Sequence, residues 1–558
     1  MKLLKYCCLT LMLLITLNAF AQNNMEIMNT FEGPWGNSEY GKWMATLDFN
    51  ADGIDDLFVL AREEVGYPGE VHVFWGGNNF GYNNSPDYIM TLTDNSPGYD
   101  IFPSYGVFAC GDVNGDGYDD LAICAYLLFD YPVPDYFYYR FFYGGPDAEL
   151  DFTEYDHEYG FLVGAGYYYS HDSFTSCLGD VNGDGCDDMG FILDRGWPYG
   201  RELALMFGGT FEMIIVESDI LPHFFNIEQL GDLNSDGYDD FAVGYMIESY
   251  DDNHDHYYTK VYYGGLIFSL ENYEIMFYYH EDIVSFNGAI TIGDFNGDGR
   301  PDFLYPRPDN GQFDCLGLAL MGEDIEDSMF YPIQCDPNHS TFINTSSWMG
   351  RRIKHGDFNG DGYSDFVGSN TDYGLWSGTA GVWLGGENPN AIFDLQLEYH
   401  DYRKLFGYQI NVGDYNNDGY DDIAISAPYD ETLQYPDYQG KVYIYAGNPN
   451  LTDTTVANES NDVALQPATN LIIYPNPVSS KDIKINLKLV GHLPKNIENA
   501  MVSVYNLKGQ KVYERKLNPS NIKNSSDAIK LESLASGLYI ATIKINNSRF
   551  ATSKFIVK

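Results

Sequence analysis

The stretch Asp112-Val113-Asn114-Gly115-Asp116-Gly117-Tyr118-Asp119-Asp120 decides the fold, because its pattern Asp-x-Asn-x-Asp-Gly-x-x-Asp recurs along the chain. Seven copies are present, at spacings of 52 to 68 residues, and they begin at Asp48, Asp112, Asp180, Asp232, Asp294, Asp357 and Asp414. A period of this length is typical of an array of structural repeats, each repeat being one supersecondary unit.

Each repeat contains four short segments with strand character. One segment leads into the acidic loop, a second leaves it (Leu121-Ala122-Ile123), a third ends in Gly-Gly (Val71–Gly77), and a looser fourth follows (Tyr88–Leu92). Four strands in about 60 residues, repeated seven times, predict an all-β, seven-bladed β-propeller. The seventh repeat ends at Gly447 without a fourth strand, while Met25–Phe31 is left over. We expect Met25–Phe31 to complete the last blade, which would close the ring and hide both edges.

The loop carries oxygen atoms at a spacing that can wrap one hard cation. Side chains at positions 1, 3, 5 and 9 and the carbonyl of position 7 suit Ca²⁺, whereas softer metals prefer imidazole or thiolate. Position 12 is never Glu and the exit is a strand, so the loop is not an EF-hand. We expect up to seven Ca²⁺ ions, with these residues as ligands: Asp48, Asn50, Asp52, Ile54, Asp56, Asp112, Asn114, Asp116, Tyr118, Asp120, Asp180, Asn182, Asp184, Cys186, Asp188, Asp232, Asn234, Asp236, Tyr238, Asp240, Asp294, Asn296, Asp298, Arg300, Asp302, Asp357, Asn359, Asp361, Tyr363, Asp365, Asp414, Asn416, Asp418, Tyr420 and Asp422.

The repeats resemble the FG-GAP repeats of the integrin α-subunit head, a seven-bladed propeller. The resemblance covers residues 25–447, and its clearest copy contains Phe406-Gly407, Asp414–Asp422 and Ala427-Pro428. The third and fourth copies lack a clear Phe-Gly pair, and only the last copy keeps Ala-Pro. The resemblance implies calcium in hairpins on one face of the disc, with a structural rather than a catalytic role.

The C-terminal part of the chain has the opposite charge from the rest. The whole chain has 30 Lys and Arg against 81 Asp and Glu, a net charge of −51, yet Pro467–Lys558 carries 14 basic and 5 acidic residues. Such a shift marks a domain boundary. We therefore divide the chain into residues 1–21, a propeller at 22–449, a linker at 450–468 and a C-terminal unit at 469–558, which its alternating pattern predicts to be a small Ig-like β-sandwich.

The C-terminal unit resembles the sorting domain of type IX secretion substrates. The motifs that carry the resemblance are Leu471–Pro477, Gly537–Ala541 and the terminal Lys554–Lys558. The resemblance implies that the type IX export machinery is a partner and that the domain is removed as the cargo is attached or released. The alternative is an ordinary Ig-like binding module.

The first residues predict a secretory signal peptide. Lys2 and Lys5 precede a short apolar run, Leu9–Leu17, and Ala19-Phe20-Ala21 is a small-x-small cleavage site. We expect no transmembrane segment in the mature chain. The protein should be secreted or attached to the outer surface of a Gram-negative bacterium. The net charge of −51 argues against nucleic acid as a partner, since phosphate contacts need a basic surface.

Two classes of function remain open from the sequence. One is a binding or adhesion module for an extracellular glycan or protein, and the other is a polysaccharide hydrolase or lyase that uses acids on the same face. We favour binding, because the sequence leaves no segment for a separate catalytic domain and shows no nucleophile or zinc motif. The loops opposite the calcium hairpins are rich in aromatic residues. The candidate ligand residues are Tyr131, Tyr136, Trp197, Tyr199, Tyr257, Tyr429 and Tyr435.

One disulfide is predicted in the fifth blade. Segments Cys315–Gly322 and Ser328–Cys335 form a plausible hairpin, and pairing Gly322 with Ser328 places Cys315 opposite Cys335. Export from the cytoplasm permits oxidation. The alternative is two buried thiols.

Overall fold

The computed structural model describes two compact units, one within Met1–Asn458 and one within Glu459–Lys558. The described residues are 24–62, 69–93, 100–128, 136–162, 174–194, 201–216, 223–247, 256–266, 273–280, 290–309, 312–321, 329–332, 353–371, 378–387, 389, 393–398, 405–430, 438–452, 470–474, 484–490, 500–506, 511–517, 527–530, 537–545 and 548–557. The predicted signal peptide at 1–21 and most of the predicted linker at 450–468 lie outside them.

The first unit contains seven antiparallel sheets of four strands each, and the sheets follow one another along the chain. The strands of blades 1 to 4 are β2 Met44–Leu47, β3 Asp56–Ala61, β4 Gly69–Phe74, β5 Tyr88–Leu92, β6 Asp100–Gly111, β7 Asp120–Leu128, β8 Tyr136–Phe142, β9 His157–Leu162, β10 Phe174–Gly179, β11 Asp188–Asp194, β12 Arg201–Phe207, β13 Glu212–Val216, β14 His223–Gly231, β15 Asp240–Ile247, β16 His256–Tyr262 and β17 Tyr273–His280. A 3₁₀ turn, Tyr82–Asn84, lies between β4 and β5.

Blades 5 to 7 continue the same order of strands. They comprise β18 Ile290–Thr291, β19 Phe303–Asp309, β20 Gln312–Leu320, β21 Met329–Pro332, β22 Ile353–Gly356, β23 Asp365–Asn370, β24 Thr379–Trp383, β25 Leu395–Glu398, β26 Ile410–Gly413, β27 Asp422–Ala427 and β28 Lys441–Tyr445, with β1 Ile27–Glu32 as the last strand of blade 7. β1 pairs with β28, with Phe31 opposite Val442. The predicted closure of the ring by the N-terminal strand is confirmed.

The innermost strands of the seven blades form a closed circle. β2, β6, β10, β14, β18, β22 and β26 each contact the next in this order, and β26 contacts β2. The fold is therefore the predicted seven-bladed β-propeller. Apolar side chains of adjacent blades pack together to make the core; one cluster joins Phe31 of blade 7 to Leu57 and Phe74 of blade 1. Burial of these faces is what drives each twisted sheet against its neighbours.

The second unit is the predicted small all-β domain. It has one three-stranded sheet, in the order β29-β30-β33, and one four-stranded sheet, in the order β32-β31-β34-β35. Their bounds are β29 Asn470–Tyr474, β30 Lys484–Val490, β31 Ala500–Asn506, β32 Lys511–Lys516, β33 Asp527–Lys530, β34 Gly537–Ile545 and β35 Ser548–Val557. Tyr539, Ala541 and Ile543 are buried at alternate positions of β34, as the period-2 pattern of a strand requires.

Two of the predicted ligand tyrosines lie in strands and not in loops. Tyr136 begins β8 opposite Leu127, and Tyr257 lies in β16 opposite Met246. The reason is that these hairpins extend further than the apolar pattern indicated, since tyrosine itself favours strands.

The hairpin of blade 5 is present, but its register differs by one residue from the expectation. Leu320 lies opposite Met329 and Gly317 opposite Pro332, which excludes the pairing of Cys315 with Cys335 along this register. A shift of one residue turns side chains to the other face of a sheet. Cys335 lies outside the described residues, so the disulfide itself stays a prediction.

Candidate metal centres and the opposite face

The seven acidic loops share one backbone conformation. Position 6 is glycine in every loop, with φ between 85° and 91°, and in each case a Cβ placed there would meet no atom within 4 Å. Glycine is therefore required by the left-handed backbone and not by lack of space. Position 4 is also left-handed in every copy, with glycine in four loops and with Ala51, Ser235 and Asn417 in the others. Two left-handed residues fold each loop tightly around its own side chains.

The side chains at positions 1, 3 and 5 accept hydrogen bonds from the loop backbone. In the second loop, Asp112 Oδ2 accepts a bond from the Gly117 amide at 2.7 Å, and Asn114 Oδ1 accepts one from Asp116 at 2.7 Å. Asp116 Oδ1 accepts a bond from the Tyr118 amide at 3.1 Å. The bond from position 6 to position 1 is present in all seven loops, at 2.7 to 2.9 Å. These bonds hold three oxygen-bearing side chains on the concave side of one turn.

The carboxyl at position 9 has a different environment, because it is buried beneath the loop. Asp120 Oδ1 accepts a bond from Gly144 at 2.9 Å, and Oδ2 accepts one from Val113 at 3.0 Å. An amide at the end of the third strand donates to position 9 in every blade. Burial, followed by repulsion from the loop's own aspartates, raises the pKa to about 7 for Asp120 and about 8 for Asp422. Position 9 therefore fastens the loop to the third strand of its blade.

Several oxygens in these loops lack a hydrogen-bond donor. Among the described residues, Asn416 Oδ1 and Asp422 Oδ2 of the seventh loop and Asp56 Oδ2 of the first are buried without a partner. In the part of the chain that the structure describes, no three His, Cys, Asp or Glu side chains converge as a metal-binding group. A buried oxygen without a donor is costly. A hard cation would satisfy such oxygens, so the donor set of the seventh loop fits calcium.

In five of the seven loops a second carboxylate, at position 8, joins the loop to the preceding blade. Asp187 Oδ2 accepts a bond from the Asp112 amide at 2.9 Å, and Asp55 Oδ2 accepts one from Asp414 at 3.0 Å across the closure of the ring. Burial and neighbouring aspartates raise the pKa of Asp55 and Asp187 to about 6. This role was not predicted from the sequence, although aspartate stands at position 8 in five of the seven repeats.

The predicted aromatic ligand residues are only partly described. Tyr131, Trp197, Tyr199 and Tyr435 lie outside the described residues, and Tyr136 and Tyr257 lie in strands. Tyr429 follows β27 in the segment leading to β28, which is opposite the acidic loops because successive strands are antiparallel. Its ring contacts Tyr438 edge to face, with centroids 5.2 Å apart. The structure thus places one predicted residue, Tyr429, in an aromatic contact on the expected face.

A cavity of about 560 Å³ lies between the innermost strands. Glu228 and Lys354 both line it. They occupy equivalent positions on the innermost strands of blades 4 and 6. Glu228 pairs with Ala242 and Lys354 pairs with Val367, and each of these partners lies two residues after position 9 of its own loop. Burial raises the pKa of Glu228 to about 7 although Lys354 acts to lower it. This carboxyl is the one strongly perturbed acid, among the described residues, that lies outside the acidic loops.

Comparison with known families is consistent with both units. A model of the secretion system C-terminal sorting domain matches residues 472–558, an FG-GAP repeat model matches 406–445, and an FG-GAP-like repeat model matches 48–123. The chain carries FG-GAP repeats and a type IX secretion sorting domain. FG-GAP repeats often bind calcium. The sorting domain indicates secretion or attachment to the outer surface, as in Bacteroidetes, and implies the export machinery as a partner.

The relatives share only part of their length with this chain. Human phosphatidylinositol-glycan-specific phospholipase D is 33% identical over 103 residues, which is 18% of this chain and 12% of the relative. Integrin alpha-PS2 of Drosophila melanogaster is 30% identical over 244 residues, or 39% of this chain and 16% of the integrin. Integrin alpha-6 of Gallus gallus is 34% identical over 119 residues, covering 18% and 9%. The chain thus spans less than a fifth of each of these proteins.

A solved structure, the Dos1 propeller, aligns with 76% of this chain and 95% of its own, at 9% identity and a TM-score of 0.37. The assignment of the fold rests on the seven sheets and their closed circle rather than on this alignment. The described residues include no helix with the length and apolar character needed to span a membrane.

Proposed function

We propose that this protein is a calcium-stabilised propeller that binds a glycan or a protein ligand outside the cell, and that it is not an enzyme. The observation that carries the calcium part is the pair of donorless buried oxygens in the seventh loop, Asn416 Oδ1 and Asp422 Oδ2. They belong to the same loop as Asp414 and Asp418. The left-handed residues of that loop and the backbone hydrogen bonds to Asp414 fold it into a tight turn around these side chains. A bound ion would satisfy them and offset the repulsion between the aspartates.

The residues that would hold calcium in each loop are the side chains at positions 1, 3 and 5 and the carbonyl at position 7. The carboxyl at position 9 would contribute through the oxygen that is donorless in the first and seventh loops, Asp56 Oδ2 and Asp422 Oδ2. Calcium would supply charge neutralisation and a cross-link between the two strands that flank the loop. Its role would then be to stabilise the blades, which present the opposite face.

The distribution of perturbed acids supports binding over cleavage. Apart from Glu228, every described carboxyl with a raised pKa lies at position 8 or 9 of an acidic loop. Those carboxyls accept backbone hydrogen bonds that hold the blades together. A glycosidase needs two carboxyls that flank one bond, and Glu228 has the ammonium of Lys354 as its charged neighbour instead.

Calcium binding is tested by titrating the metal-stripped secreted chain with Ca²⁺ and measuring stoichiometry and thermal unfolding. We expect up to seven ions and a substantial rise in the melting temperature. Asp418→Ala should remove one ion, whereas Asp151→Ala, at an exposed turn outside the loops, should remove none. An unchanged melt after metal removal verified by elemental analysis would refute the stabilising role.

Ligand binding is tested on the same calcium-loaded chain with a glycan array and a panel of cell-surface proteins, while release of new reducing ends or unsaturated sugars is followed in parallel. Capture without product release is the expected result. Sustained release of product from any glycan would establish the hydrolase or lyase instead.

A further inference from the structure

The closure of the ring brings five polar and aromatic side chains together on the face opposite the acidic loops. We call this surface the junction patch; it consists of Glu39, Lys42, Arg62, Tyr429 and Tyr438. Glu39 and Lys42 lie in the connection from β1 to β2, Arg62 follows β3, and the two tyrosines flank the connection from β27 to β28. Three separate segments, from blades 7 and 1, therefore contribute to one surface.

Backbone hydrogen bonds fix these segments to one another. The Glu39 amide donates to the Tyr438 carbonyl at 3.2 Å, and the Arg62 amide donates to the Ser38 carbonyl at 2.7 Å. Glu39 and Tyr438 both adopt left-handed backbone, with φ of 44° and 39°. Such conformations are costly for residues other than glycine and persist only where the surroundings enforce them. The fold thus holds both side chains in defined positions at the surface.

The charged members form one compact group. Glu39 Oε2 lies 2.7 Å from Lys42 Nζ, and Glu39 Oε1 lies 3.3 Å from Arg62 Nη1. The side chain of Arg62 is 47% exposed, and its planar guanidinium carries five N–H donors. Among the described residues, Lys441 pairs with Glu32 and with the buried Asp430. The patch therefore offers a donor beside an acceptor with little net charge.

The aromatic members complete the surface. Tyr438 is 48% exposed, and its ring meets that of Tyr429 at 86°. Burial, followed by the negative charge of Glu39, raises the pKa of Tyr429 to about 12. An exposed, rigid ring next to fixed polar groups is the usual arrangement for stacking on a sugar ring while its hydroxyls are bonded at the edge.

The charge of the whole protein narrows the class of ligand. A net charge of −51 repels acidic polymers at long range. A basic peptide would instead meet Arg62 and Lys42 at this patch, and like charges in contact disfavour binding. A neutral pyranose avoids both penalties, because adjacent hydroxyls can accept from Arg62 and donate to Glu39 while the ring packs on Tyr438.

We propose that the junction patch binds a neutral polysaccharide, with Tyr438 as the stacking platform and with Arg62 and Glu39 as the hydroxyl-binding pair. This inference rests on the proposed binding function, for which it names the ligand class and the site. It moves the ligand surface from the wider set of aromatic loops to the seam between blades 7 and 1.

The test uses the calcium-loaded secreted chain and four probes: cellohexaose, mannohexaose and xylohexaose, which are neutral, and trigalacturonate, which is acidic. We expect at least one neutral hexasaccharide to bind and trigalacturonate to bind more weakly. Tyr438→Ala and Arg62→Gln should each weaken the neutral complex at least tenfold, as the loss of a stacking platform or a charged hydrogen bond does. Tyr438→Phe should retain binding, and Tyr82→Ala, whose side chain is 75% exposed in another loop, should match the wild type.

Each alternative result overturns a distinct statement. If neutral sugars bind but Tyr438→Ala and Arg62→Gln have no effect while melting temperature and calcium content are unchanged, the site lies elsewhere and the binding function stands. If none of the neutral hexasaccharides binds while trigalacturonate or a protein does, the ligand class is wrong. If neither the array nor the protein panel yields a ligand, the proposed function fails together with this inference.

Discussion

Phe31→Ala should destabilise the propeller by weakening the closure of its ring. Phe31 lies on β1, the outer strand of blade 7, yet its ring stacks on Phe74 of blade 1, with centroids 3.8 Å apart, and contacts Phe80 edge-on at 5.9 Å. The side chain is 1% exposed. Truncating so well buried a phenylalanine costs about 3–5 kcal/mol, since both the apolar contact and a cavity are involved.

The expected shift in melting temperature follows from the size of the unit. A propeller of about 430 residues that unfolds as one unit has an unfolding entropy of about 0.9 kcal/mol/K. The loss of about 3–5 kcal/mol therefore lowers the melting temperature by about 3–6 °C. Calorimetry in excess calcium measures this directly, because the metal contribution is then the same in both proteins.

A control on the same strand separates closure from a general effect of mutation. Ile27 also belongs to β1 and pairs with Tyr445, but it is 52% exposed. Ile27→Ala should change stability by no more than about 0.5 kcal/mol. If Phe31→Ala melts within about one degree of the wild type, the burial of Phe31 does not stabilise the ring. The argument for closure through β1 then fails.

Three further predictions concern other parts of the molecule. Gly117→Asn should be tolerated better than Gly117→Ala in thermal melts, because the site is left-handed at φ 90° with free space around the Cβ and asparagine adopts that backbone more readily; equal losses would contradict this. Glu228→Gln should raise the melting temperature at pH 8.5 and leave it unchanged at pH 4.5, since a pKa raised from 4.5 to about 7 makes the carboxylate costly only as pH rises through that range. Truncation after Pro467 should leave a folded propeller in the periplasm, as cell fractionation can show, and normal amounts outside the cell would contradict a sorting role.

The architecture was predictable because the loop is a local signal repeated seven times. Each copy fixes a turn and two strands, and the Gly-Gly that follows ends the third strand of its blade, where the Gly144 amide bonds Asp120. Counting four strands per repeat showed that blade 7 lacked one strand and that the N-terminal segment had one to spare. In the structure, β1 is paired with β28. Repetition made a weak local pattern into a strong global one.

Properties that lie outside the repeated loop were not predictable in the same way. The register of β20 with β21 depends on the connecting turn, so the expected alignment of Cys315 was one residue off. The hydrogen bond that the Asp414 amide donates to Asp55 joins residues at opposite ends of the propeller sequence, and no local pattern indicates it. The ends of strands such as β16 were misjudged because tyrosine serves both strands and binding loops.

Under the proposed function, the two faces of the propeller divide the requirements for stability and for binding. On one face, the carboxyls at positions 8 and 9 are occupied by backbone amides of the same or the adjacent blade, so substitution there alters how the blades hold together. On the other face, Arg62 and Tyr438 are exposed, and their side chains take no part in the hydrogen bonds to positions 8 and 9. Residues that carry binding should therefore be separable by mutation from those that carry the fold, and a variant such as Arg62→Gln reports on ligand recognition without a confounding loss of structure.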